Sequence, residues 1–317
     1  MSPDSAPTPA KKPRIPRRFA LGGGMALVAV LVYLVVIGLY ASSGRFAPLG
    51  TLDEPPPAGG VTVLLSPDAV NAAGGRLHVN MQVVPSKQLI ADDGLTFART
   101  ITVVIAPTAG EQSITFAQGS VPSVVPLDII VDGSVENWPL DQYRVPQLVV
   151  FAYSGSGTSK VAMPADVRSL SGYIPGWNLK WKINPAAKTP TDSTVAAAQS
   201  ELPTIDLRII RSSSTIAFGI VLLILMVVMA SLVLFVSISV FRGKRKVEPS
   251  FMSWTAAMLF ATIPLRTFLP GSPPIGSWID YLVVLWVVIG LISGMVIYVS
   301  AWWRWGARAD RVGPSVP

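Results

Sequence analysis

The sequence predicts a membrane protein of mixed class, with four transmembrane α-helices plus one extracytoplasmic antiparallel β-sandwich. Three observations predict it. Phe19–Tyr40, Ile216–Phe241, Phe251–Leu269 and Tyr281–Trp303 each come close to the ~20 apolar residues that cross a bilayer. A polar block with strand-like alternation separates the first of these from the second. Lys and Arg crowd the short segments that flank them.

The elements follow in chain order. Residues 1–18 form a basic tail carrying Lys11, Lys12, Arg14, Arg17 and Arg18, and residues 19–41 are the first span. Its apolar run exceeds the ~7–15 residues of a cleaved signal's core, which makes it a signal-anchor. Residues 42–60, with Pro55-Pro56-Pro57 and Gly59-Gly60, read as a semi-rigid stalk. The sandwich occupies 61–210 and the second span 211–241. A basic loop (242–250), a third span (251–270), an outer hairpin loop (271–277), a fourth span (278–303) and a C-terminal tail (304–317) complete the chain. Arg242, Lys244, Arg245 and Lys246 fill the first loop, and Arg304, Arg308 and Arg311 follow the last span. In Ala41–Arg211, by contrast, twelve Lys and Arg are outnumbered by fourteen Asp and Glu. Short Lys- and Arg-rich segments stay cytoplasmic. Both termini are therefore expected inside and the large domain outside, in a multi-pass cell (plasma) membrane protein. The charge of +7 is an orientation signal and not a mark of nucleic-acid binding.

In Arg76–Val83, Leu77, Val79, Met81 and Val83 alternate with polar residues, the period of a strand with one wet face. Val61–Leu65, Thr100–Ile105, Ser113–Phe116, Leu127–Val131, Gln147–Tyr153, Leu179–Ile183 and Ile205–Ile209 are further strands, separated by turn formers such as Ala73-Gly74-Gly75 and Asp132-Gly133. Short strands at this spacing indicate a sandwich. Ala186–Pro203 reads as a loop or one short helix.

The most distinctive segment is Val135–Tyr143. Pro139 fixes a backbone angle, Asp141 can close a turn, and Trp138 and Tyr143 are expected to bury their rings at the sheet's end. This is a structural corner setting the path into the next strand, with a ligand or partner loop as the functional alternative. Trp138-Pro139-Leu140-Asp141-Gln142 resembles the Phe-Pro-Phe-Asp-x-Gln corner in the outer sandwich of pentameric ligand-gated channels. That likeness implies a related sandwich corner and no more. Those channels place every span after the sandwich, and this chain places one before it.

With Leu265-Arg266, Pro270, Pro273-Pro274-Ile275-Gly276 and Asp280, the same corner resembles an uncharacterised bacterial membrane-protein family common in actinobacteria. That family is known only as a domain of unknown function. The resemblance implies one anchor helix, an outer β-domain and three further spans, and it brings no activity, substrate or catalytic residue. The Ala, Val, Pro and Gly content and the use of Arg over Lys agree with a high-GC bacterial source.

Arg266 and Asp280 are the ionisable residues inside or at the edge of a span, and the topology puts both at one outer depth. Charges there pair or face a cavity, so an outer-hairpin ion pair is expected. If the two form a simple bridge, a charge swap restores what single neutralisations lose. Gly290 and Gly294 match the Gly-x-x-x-Gly spacing that permits close helix packing.

Chemistry has little to stand on. The chain has no cysteine and one histidine, His78, on a polar strand face. A triad, a zinc site and the glycine-rich phosphate loops lack their residues, and Asp92-Asp93 or Asp128 with Asp132 fall short of a calcium ligand set. No catalytic residue, metal or cofactor is therefore assigned. The reading is a non-enzymatic membrane protein displaying a β-sandwich to the envelope, an accessory or interaction subunit. The alternative is a subunit of a transporter or channel assembly. Its partners are the lipid bilayer, together with other envelope membrane proteins or self-association through the helices.

Overall fold

The computed structural model describes residues 17–42, 45–46, 53–155, 160–170, 172–184 and 204–309. The N-terminal tail up to residue 16, most of the first half of the stalk, the 185–203 segment and the last residues of the C-terminal tail lie outside them.

In chain order, helix α1 (Arg17–Ala41) and the two-residue strand β1 (Arg45–Phe46) precede the sheet domain. Its strands are β2 (Val61–Asn71), β3 (Arg76–Pro85), β4 (Ile101–Ala106), β5 (Ser113–Phe116), β6 (Val124–Ile130) and β7 (Asp132–Gly133). They continue with β8 (Gln142–Ser154), β9 (Val161–Met163), β10 (Ala165–Ser169), β11 (Gly172–Tyr173), β12 (Trp177–Asn184) and β13 (Thr204–Arg211). Helices α2 (Ser213–Phe241), α3 (Ser250–Thr267) and α4 (Leu285–Ala309) follow, the last led in by a π-helical turn at Asp280–Val284.

One sheet has the order β10-β2-β3-β6 and the other β12-β13-β8-β4-β5, with β7 and β9 also paired to β8. Inward residues of both sheets form one apolar core: Val63 and Leu65 from β2, Leu77, Val79 and Met81 from β3, Ile101 and Val103 from β4, Leu207 and Ile209 from β13. The eight segments expected as strands fall in β2 to β6, β8, β12 and β13, with Thr100 and Val131 just outside the ends of β4 and β6. The domain is mixed rather than purely antiparallel, because β10 runs parallel to β2, with Val167 opposite Val63. In β10 the apolar Ala165 and Val167 alternate with Asp166 and Arg168, but the run is only five residues long and nothing in it announces a parallel pairing.

β8 begins five residues before Gln147. Tyr143 and Val145 face the core, the register against β13 shifts between Ile205 and Leu207, and then Leu148, Val150 and Ala152 face it. A bulge re-phases the strand. Gln147 takes φ 57° there, and its amide N–H donates to Asp206 Oδ1 at 3.3 Å. The C-terminal part of the stalk is tied to the domain: Arg168, 4% exposed, donates through Nη1 to the Glu54 carbonyl, and the Ser86 amide donates to the Gly60 carbonyl at 3.0 Å.

Among the described residues, two helical stretches are long and apolar enough to cross a membrane, Ser213–Phe241 and Asp280–Trp305. In the most apolar window of each, only 22% is buried within the chain. Their remaining apolar faces look outward. α1 contributes a shorter apolar stretch, Val30–Ala41, and α3 is an 18-residue helix with Pro264 inside it and Arg266 in its last turn. α2 packs on α4 around Met226, Val233, Val287 and Leu291. The Gly290 and Gly294 positions face α2, and a Cβ on Gly294 would come within 2.7 Å of Val233.

Candidate functional site

The residues singled out in the sequence fall into two groups, both at the end of the helices that meets the sheet domain. The larger is the corner at Val135–Tyr143. Its chain enters through a 3-10 turn at Val135–Asn137, and the Trp138–Pro139 peptide bond is cis. The two rings of this corner part company. Tyr143 joins the sandwich core, edge-on to Trp177 at 5.6 Å. Trp138, 2% exposed, leaves the sheets and lies among Leu269 and Ile279, with Leu222 and Leu223 of α2 beside it. It is therefore a plug between the domain and the helices, and not a ring capping the sheet. Its Nε1–H donates to the Pro270 carbonyl at 2.9 Å. Gly219 of α2 allows this approach, since a Cβ there would stand 2.6 Å from the indole.

Asp141 is 1% exposed and fully partnered. Its Oδ1 accepts from Arg211 Nε at 2.5 Å, and its Oδ2 accepts from the Tyr143 hydroxyl at 3.0 Å. Arg211, the last residue of β13, is 4% exposed. Its guanidinium stacks on Trp177 at 4.5 Å, and Nη1 reaches the Pro270 carbonyl at 3.4 Å. Gly271 lies against this group with φ 75°, and a Cβ there would sit 2.4 Å from Nη1. Burial, the Asp141 charge and the bond donated to it push the Tyr143 phenol above its ordinary value, and Arg211 acts in the opposite direction.

Corner, strand end and hairpin loop thus converge on one backbone carbonyl, Pro270 O. Ser212, the next residue, caps α2 by accepting the Thr215 amide at 3.3 Å. Any tilt of β13 is passed to α2 without a linker. Sequence reasoning placed Arg211 at the edge of the polar block and assigned it nothing. The available signal was a basic residue immediately before the longest apolar helix, with an acid in the corner to receive it.

The second group is the hairpin between α3 and α4. Arg266 Nε donates to Asp280 Oδ1 at 3.0 Å and Nη2 to Oδ2 at 2.8 Å, a bidentate pair. Arg266 also donates to the Pro273 carbonyl (2.9 Å) and the Pro274 carbonyl (3.0 Å), while Asp280 Oδ2 accepts the Gly276 amide at 2.8 Å. The side chains are 13% and 18% exposed. This pair is woven into the loop backbone, which a simple bridge between two helices would not be.

His78 lies on the outer face of β3, its Nδ1 against Asp128, in a cleft of about 550 Å³ that also holds Asp68 and Glu111. Among the described residues, no group of three or more His, Cys, Asp or Glu is placed to hold a metal ion.

Residues 211–305 match a family described as a domain of unknown function, DUF8686. No curated protein matches the chain. A second family, described as a domain of unknown function, DUF4436, matches residues 51–209. The seam between the two matches falls at Arg211, so the Asp141–Arg211 pair joins one matched unit to the other. With half of its residues inside the second match, the chain belongs to the DUF4436 family.

Proposed function

We propose that this is a non-enzymatic cell-membrane protein that crosses the bilayer four times and holds a β-sandwich at fixed height and orientation in the envelope. There it serves as an accessory or interaction subunit of an envelope complex. The observation that carries this is the joint. A domain that only needed tethering would require a linker, whereas here a buried ion pair, a buried indole and a shared carbonyl fix the sandwich to the helices. Rigid presentation lowers the ordering cost of binding a partner.

Orientation is supported by what lies at each end of α2. Its 29 residues span ~43 Å, enough for the ~30 Å hydrocarbon core with an interface on each side. The joint stands at one end, and Arg242, Lys244, Arg245 and Lys246 stand at the other. Lys and Arg in short loops favour the cytoplasmic side. The chain contains no cysteine, so single cysteines report sidedness directly. Ser123→Cys should react with an impermeant thiol reagent on cells with an opened outer barrier, and Ser250→Cys should not; both positions are exposed.

The second reading, a subunit of a transport or channel assembly, is favoured by a cleft of about 620 Å³ between α3 and α4, with Arg266 and Asp280 at its outer end. Photo-crosslinking residues separate the two. Adducts with envelope proteins from Leu95 and Val124, both exposed on the domain, are expected of the first reading. Adducts confined to Phe260 and Trp286, exposed on the helices, are expected of the second.

A further inference from the structure

The basic loop after α2 carries more than an orientation signal. α2 ends in a Schellman turn: Gly243 takes φ 72°, its amide donates to the Val240 carbonyl at 2.8 Å, and the Lys244 amide donates to the Ser239 carbonyl at 3.1 Å. The following residues fold back over the helix end instead of leaving it. Tyr298 of α4 holds them there with both functions of its hydroxyl. It donates to the Glu248 carbonyl at 2.6 Å and accepts the Glu248 amide at 2.7 Å. Its ring is 2% exposed and packs on Phe251 at 4.5 Å.

This arrangement leaves a cleft of about 590 Å³. Lys244, Arg245 and Lys246 line its rim, with Glu248 as the one acid among them, and Phe235 and Val236 of α2 form the wall below. Among the described residues, none of the three basic side chains is in an ion pair. The negative end of the α2 dipole offsets part of their mutual repulsion. Phe235 is 70% exposed on the apolar side. Trp302 and Trp303, exposed near the end of α4, are the residue type that marks a membrane interface. The cleft therefore has a cationic rim at headgroup depth and a greasy wall at acyl depth.

We propose that this cleft binds an anionic glycerophospholipid, with its phosphate on Lys244, Arg245 and Lys246 and an acyl chain along Phe235 and Val236. Charge complementarity selects an anion, and the apolar wall selects a lipid over free phosphate. The inference rests on the reading that this loop lies at a membrane surface. Labelling of Ser250→Cys tests that reading separately. Reaction from outside would overturn the orientation whatever lipid the cleft retains.

The test is native mass spectrometry of the full chain released from detergent micelles, titrated with dioleoyl phosphatidylglycerol, dioleoyl phosphatidylcholine or inorganic phosphate. Three surface charges near a phosphate predict a preference for the anionic over the zwitterionic lipid on the order of 100-fold. The triple variant K244Q/R245Q/K246Q should fall to the phosphatidylcholine level, and inorganic phosphate should not displace the lipid. If the triple variant does not fold, the three single variants should each lower retention while leaving the circular dichroism unchanged. Equal retention of the two lipids by the native chain would overturn the proposal. So would retention untouched by the substitutions, or displacement by inorganic phosphate, which would mark a site for free phosphate.

Discussion

Replacing Gly219 by Ala adds a single methyl, and its effect should change sign with the residue at 138. In the native chain the new Cβ would meet the Trp138 ring at 2.6 and 2.8 Å. The ring has nowhere to retreat. Its Nε1–H is held by Pro270 O, and Leu269 and Ile279 pack around it. Overpacking of this kind costs ~1–3 kcal/mol, and the gain from Ala over Gly inside a helix returns only ~0.5–1 kcal/mol. Gly219→Ala should therefore destabilise by roughly 1–2 kcal/mol. Trp138→Ala alone should cost about 3–5 kcal/mol, the usual loss for truncating a buried large aromatic. In that background the clash is gone, so adding Gly219→Ala should now stabilise by ~0.5–1 kcal/mol. Equilibrium unfolding of the four detergent-purified proteins, followed by circular dichroism, closes the cycle. The same effect of Gly219→Ala in both backgrounds would show that the two residues do not touch and would remove the joint's apolar half.

The buried Asp141–Arg211 pair and the part-buried Arg266–Asp280 pair set further outcomes. Asp141→Asn should lower stability by roughly 3–5 kcal/mol, because it leaves the Arg211 guanidinium buried without its counter-charge. Tyr143 is raised above its ordinary value, so its neutral form is the one the fold favours. The stability it contributes is present below the unfolded phenol's value near 10 and is lost as the pH rises past it; Tyr143→Phe should flatten that alkaline fall. Arg266→Gln and Asp280→Asn should each lower the unfolding free energy, by about 1.5–3 kcal/mol for each charged bond lost. The swapped pair should recover little, because carbonyls of Pro273 and Pro274 would then face a carboxylate and the Gly276 amide a guanidinium. Full recovery on swapping would restore the simple-bridge expectation.

The strands were legible because short runs rich in β-branched and aromatic residues, alternating cleanly in Arg76–Val83, are bounded by turn formers. Where local rules break, so did the reading. The bulge at Gln147 interrupts the phase of β8, hiding its first half, and β10 owes its place to a parallel pairing with β2 that an alternation of five residues is too short to announce. The corner was visible as turn and ring chemistry. What it touches was not, since Trp138 meets Pro270 across 132 positions of chain and Asp141 meets Arg211 across 70. A sequence can say that an indole or a carboxylate will be buried, but the partner is chosen by how the domain sits on its helices. The Arg266–Asp280 pair lies at the opposite extreme: fourteen positions and a tight Pro-Gly loop bring the two together, so topology alone makes them neighbours. The backbone carbonyls that share Arg266 belong to loop geometry and leave no sequence trace.

The Asp141–Arg211 pair and the Trp138 ring clamp the sandwich to the helices and leave it no tether to swing on. Distance measurement by double electron–electron resonance tests this directly, with spin labels on Ser123→Cys in the domain and Ser250→Cys at the far end of the helices, in lipid nanodiscs. The joint predicts one narrow distance distribution for the native chain, broadened when Trp138→Ala and Asp141→Asn are introduced together. A broad distribution in the native chain, unchanged by those substitutions, would contradict the clamp and with it the proposal of rigid presentation.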